Sequence, residues 1–118
     1  MNIADLDQNL ASHELFSSIE NMHATFEWVR RNDPLHWTAA PDHPPFWAVT
    51  KHADVIEVGK HPDVFVAEPK TFLLNDEESR IRAEETAATG GKMVRTMIHM
   101  DGTDHRKYRG FTQALFMP

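Results

Sequence analysis

The stretch that decides the fold is Met97–Pro118, MIHMDGTDHRKYRGFTQALFMP. Asp101 can cap a helix there, and Asp104 adds a second carboxylate at the positive end of the helix dipole. At about 100° per residue, Tyr108, Phe111 and Leu115 share an apolar face. His105, Arg109, Thr112 and Phe116 form the neighbouring stripe on its edge, while Arg106, Lys107, Gly110 and Gln113 point to solvent. Two potentially cationic side chains, His105 and Arg109, therefore stand one turn apart and lean inward. A partly buried cation needs an anion or a dense set of acceptors. A salt-bridged helix edge satisfies the same pattern, so spacing alone leaves both readings open.

Upstream of this helix the periodicity fades, from Pro69 to about Ile98. Residues 76–91 carry five acidic and two arginine side chains and end on Gly90-Gly91. The segment reads as a mobile loop with room for a short helix near Glu78–Glu85; its charges form a solvated face, or the loop is a lid over a pocket. Further upstream, Ala53–Val58 predicts a helix closed by Gly59 and Pro62. Leu35–Thr38 and Phe46–Thr50 read as two strands of a hairpin. The three prolines between them rule out helix and central strand in the connection. Leu15, Ile19, Met22, Phe26 and Val29 line up one apolar stripe and predict a helix over Ser12–Arg31, ended by Asn32-Asp33-Pro34. The expected architecture is mainly α with one small β-hairpin.

The chain has 118 residues, enough for one compact domain. Eighteen acidic against twelve basic residues give a net charge of −6, which weighs against nucleic acid as a partner. There is no cysteine, and this removes disulfides, thiolate metal sites and cysteine nucleophiles. The first ten residues do not resemble a secretory signal, and no apolar run approaches the ~20 residues of a membrane span. A soluble, cytoplasmic protein with no membrane anchor is expected. Of the eight histidines, His99 and His105 with Asp101 and Asp104 come nearest to a ligand cluster. The two aspartates are better explained as helix-start residues, so no metal site is expected. His43, His52 and His61 read as surface residues. No phosphate-binding glycine loop or nucleophile elbow is present.

The chain resembles the soluble bacterial haem-thiolate monooxygenases of the cytochrome P450 family. MIHMDGTDHRKYRGFTQALF is similar to the family's Met-Asp-Pro-Pro-Glu-His-x-x-x-Arg pattern at the start of helix C. FEWVRRNDPLHW resembles helix A running into the first strand, and FWAVTKHADVIEVGKHPDVF resembles the second strand and helix B. The matches stand in the family's order from about Met22 to Pro118. The resemblance implies the N-terminal segment of a single P450 domain, residues 1–118: helix A, two strands, helix B, the B–C loop and helix C.

The same resemblance implies that His105 and Arg109 contact the haem propionates. A carboxylate suits arginine, which pairs with it through short charge-assisted hydrogen bonds. Arg106 and Lys107 fall where the family docks its acidic electron-transfer partner, a ferredoxin or flavoprotein. The parent enzyme would hydroxylate an apolar small molecule with dioxygen, and the B–C loop would cover that substrate. Gly102 and Thr103 stand where the family often has two prolines, and Asp104 stands for the common Glu. The family's catalytic residues and its haem-ligating cysteine lie downstream of the quoted segments. None is found here, so the 118 residues alone are expected to be inactive. The competing expectation is a complete small acidic, His-rich module that binds an anion or another protein.

Overall fold

In the computed structural model, which describes residues 2–68, 72–90 and 96–117, five α-helices and one hairpin follow in order. They are α1 (Ile3–Ala11), α2 (Ile19–Asn32), β1 (Leu35–Thr38), β2 (Phe46–Val49), α3 (His52–Lys60), α4 (Asp76–Ala88) and α5 (Gly102–Phe116). Short 3-10 turns at His13–Ser17 and Met97–His99 precede α2 and α5. The mainly helical chain with a small hairpin is the expected class, but several elements differ from the sequence reading.

The helix expected over Ser12–Arg31 is divided. The Ser12 hydroxyl accepts the Glu14 N–H and starts the 3-10 turn; the Ser18 hydroxyl accepts the Asn21 N–H and starts α2. Serine side chains compete for backbone donors in this way and favour helix starts over interiors. The break removes Ile19 from the buried stripe, leaving it 67% exposed, while Leu15 and Val29 are fully buried. Before the break lies α1, where no element was expected. It buries Leu6, Leu10 and Ala11, and the one-turn spacing of the two leucines was the only pattern that announced it.

The hairpin is antiparallel, with His36 opposite Ala48 and Trp37 opposite Trp47. Burial alternates along β1, so His36 and Thr38 face the interior while Leu35 and Trp37 face out. On the outer face the Trp37 and Trp47 rings lie 4.9 Å apart between centroids, tilted by 59°. β2 ends one residue before the expected Thr50, whose N–H and hydroxyl both donate to the Pro34 carbonyl. The core is Leu6, Leu10, Leu15 and Val29, with Met22, Phe26, Trp28, Phe46 and Ala48 packed around it. It therefore sits between α1, α2 and the inner face of the hairpin.

The helix expected over Ala53–Val58 runs instead from His52 to Lys60, and Gly59 lies inside it. The chain leaves at His61, the residue whose helical geometry Pro62 opposes.

The largest correction is α4, in the segment read as a loop. Asn75 and Glu78 form a reciprocal capping box, and three acidic residues occupy the first turn. Arg80 bridges Glu77 and Glu84 on neighbouring turns. The Asn75 N–H holds the Glu78 carboxyl below its usual range, and His13, 3.3 Å away, adds to the effect. No side chain of α4 is buried, so the helix has no apolar stripe for periodicity to detect. Residues 69–71 and 91–95 of the expected loop, Gly91 included, lie outside the described residues.

Among the described residues, α3, α4 and α5 bury no side chain. The radius of gyration is 17.2 Å, against about 13–14 Å for a compact domain of this length. The chain thus closes around its N-terminal core and spreads beyond it. Among the described residues no helix is long and apolar enough to cross a membrane.

Candidate functional site

α5 begins where the sequence places it, but its start is built differently. Asp101 occupies the N-cap position, and its carbonyl accepts the His105 N–H at 3.4 Å, but its side chain makes no cap hydrogen bond. Its carboxylate accepts the Ala67 N–H at 3.0 and 2.9 Å and the Glu68 N–H at 2.8 Å. The expected cap is therefore a tie between the segment after α3 and the start of α5. Gly102 follows with φ of 56°, in the left-handed region. Proline, fixed near −65°, cannot adopt that angle, which accounts for glycine here where the resembling family often has proline.

A side chain at Gly102 would meet nothing within 4 Å, so its cost is conformational alone. Gly102→Ala is expected to destabilise the start of α5 by about 1–2 kcal/mol. Gly110→Ala, also in open space but with ordinary helical geometry, is expected to stabilise α5 by about 0.5–1 kcal/mol. Hydrogen exchange of the α5 amides measures both, and equal shifts of the same sign would contradict the left-handed start.

His105 and Arg109 share one stripe of α5, as expected. His105 is half-buried, whereas Arg109 is exposed, so only the imidazole leans inward. Neither side chain has a hydrogen-bond or ion-pair partner among the described residues. Arg106 points outward and donates to the Thr103 hydroxyl at 3.3 Å, and Lys107 is exposed beside it. The face of Tyr108, Phe111 and Leu115, expected to pack inward, is uncovered: Phe111 is 69% and Leu115 80% exposed. Among the described elements the chief contact of α5 is the Met97–His99 turn.

His99, noted in the sequence only as a neighbour of the acidic residues, holds a defined position. Its Nδ1 lies 2.7 Å from the Thr96 hydroxyl, and its ring meets Phe72 edge-on. Arg82 stacks on the same phenyl ring. His99, Asp101, Asp104 and His105 do not converge: among the described residues no three such side chains are placed to hold a metal ion. A separate open, mainly apolar pocket of about 310 Å³ borders the core, lined by Leu10, Ala11, Phe16, Phe26, Phe46, Ala48 and Leu73 together with Ser12 and His13.

No family model matches the chain. Among curated proteins it is 28% identical over 103 residues to cytochrome P450-terp of a Pseudomonas species, covering 87% of this chain and 24% of that protein. It is 31% identical over 99 residues to the linalool 8-monooxygenase of Pseudomonas putida, covering 81% and 23%. A steroid C26-monooxygenase of Mycolicibacterium smegmatis matches at 28% over 97 residues, covering 76% and 21%. The chain spans about a quarter of the length of the first two relatives it matches. With relatives of one kind covering most of its residues, and with helices and hairpin consistent with the N-terminal region of that fold, the chain is a homologue of the cytochrome P450s.

Proposed function

We propose that the 118 residues are the N-terminal part of a haem-dependent P450 monooxygenase domain, in which His105 and Arg109 grip the haem propionates from α5. The observation that carries this reading is the pair itself. A half-buried imidazole and an exposed guanidinium stand one turn apart, neither with a protein partner among the described residues. That donor set fits two carboxylates at one edge of a macrocycle. Arg109 can bind one of them through a planar pair of charge-assisted hydrogen bonds, and His105 can donate a ring N–H to the other.

Bound haem would supply the oxygen chemistry, and a thiolate ligand to it would have to come from residues other than these, which include no cysteine. The uncovered Tyr108, Phe111 and Leu115 suit a helix that packs into a larger domain. In this reading the segment between α3 and α5 borders the pocket of an apolar small-molecule substrate. Arg106 and Lys107 offer positive charge to an acidic ferredoxin or flavoprotein. The 118 residues alone are inactive as a monooxygenase.

Two measurements test this. Sequencing the coding DNA past the Pro118 codon is expected to reveal an open frame leading to a Phe-x-x-Gly-x-x-x-Cys loop; a stop codon there would sink the proposal. The 118-residue chain mixed with haem and reductant is expected to give no thiolate-type carbon monoxide difference absorption. Its appearance would overturn the assignment of the thiolate to other residues.

A further inference from the structure

Asp7, His36 and Asp33 form a cluster that lies apart from α5 and that an apolar core does not require. His36 is 4% exposed on the inner face of β1. Its Nε2 lies 2.6 Å from Asp7 Oδ1 on α1, and its Nδ1 lies 2.7 Å from Asp33 Oδ2 at the end of α2. Ionised carboxylate oxygens only accept, so each ring nitrogen has to donate. A neutral imidazole carries one N–H and can satisfy one carboxylate; the imidazolium satisfies both.

Asp7 is itself 7% exposed, and its other oxygen accepts the Ala39 N–H at 3.2 Å. The charged groups that face the ring are Asp7 from α1 and Asp33 from the end of α2. Across the hairpin, β2 sets uncharged Ala48 opposite, and the connection after β1 contributes the Ala39 backbone.

We propose that this cluster is a protonation-dependent latch, in which charged His36 holds α1 against the hairpin and loss of its proton releases α1. The consequence reaches beyond one ion pair, because α1 supplies Leu6 and Leu10 to the core and Leu10 and Ala11 to the pocket wall. The latch therefore decides whether that pocket keeps its shape.

Burial opposes the charge on His36, but the hydrogen bonds and charges of Asp33 and Asp7 outweigh it and raise the pKa above the ordinary 6.5. A pKa raised by docking means that the stabilisation is complete below the undocked value. It declines as pH rises toward the docked value and is absent above it. Over that interval one proton is linked to opening, so the opening equilibrium rises by up to about tenfold per pH unit.

The test follows the imidazole nitrogens by NMR in the intact, histidine-labelled protein, together with hydrogen-exchange protection of α1 corrected for intrinsic pH effects. The expected result is a His36 ring that titrates above 6.5 and carries both ring protons below its midpoint. Protection in α1 should fall with the same midpoint while α5 stays unchanged. Asp7→Asn removes the charge and leaves one acceptor oxygen for the His36 and Ala39 N–H donors, so the midpoint should fall and α1 protection should stop following it. His36→Gln should leave α1 insensitive to pH. A His36 midpoint at or below 6.5, or α1 protection that ignores that midpoint, would overturn the latch. Should either variant fail to fold, the unmodified protein's titration decides alone.

Discussion

Arg109→Ala in the haem-loaded protein is expected to release haem about ten- to a hundredfold faster, the equivalent of about 1.5–3 kcal/mol for hydrogen bonds to a charged group. Arg109 is exposed and unpaired among the described residues, so its removal leaves no buried acceptor behind in the protein itself. The loss therefore falls on the complex, and stability without haem should stay within about 0.5 kcal/mol. Arg109→Lys retains the charge but loses the planar fork, and intermediate retention is expected. Haem transfer to excess apomyoglobin gives the rate. A variant that holds haem as firmly as the parent would remove Arg109 from the propionate grip, whatever its effect on turnover.

Leu15→Ala is expected to cost about 2–5 kcal/mol, a large part of the roughly 5–15 kcal/mol that a domain commonly has. Leu15 is fully buried in a core whose other members are Leu6, Leu10 and Val29, and no second core stands behind it among the described residues. The informative contrast is Ile19→Ala. In a continuous helix from Ser12, Ile19 would share the buried stripe with Leu15. With α2 starting after Ser18 it is largely exposed, and the expected cost is below about 0.5 kcal/mol. Urea unfolding of the intact protein measures both, and similar losses for the two variants would mean that the serines do not divide the helix.

What could be read from the sequence divides along the same physical line. α5 and the hairpin were readable because their evidence is local: a four-residue repeat in one, prolines and alternation in the other. α4 escaped because it has no apolar stripe, and its signal lay in the Asn75–Glu78 capping box and the charge pairs of Arg80. α1 escaped because two leucines make a thin pattern. The His105–Arg109 pair could be located by spacing, but the expectation of a propionate partner rests on family resemblance alone. The Asp7–His36 contact, spanning 29 positions, has no local signature at all.

The paired indoles on the outer face of the hairpin give the protein an optical reporter of its own. Two tryptophans at 4.9 Å and 59° couple their electronic transitions, which produces a paired circular-dichroism band that a lone Trp28 cannot give. That band reads the β1–β2 register directly, without contribution from helix content. Trp37 neighbours His36 in sequence yet points to the opposite face of the strand. Titrating the buried histidine therefore leaves the chromophores' solvent surroundings alone, and any change in their coupling reports a shift of the strands themselves.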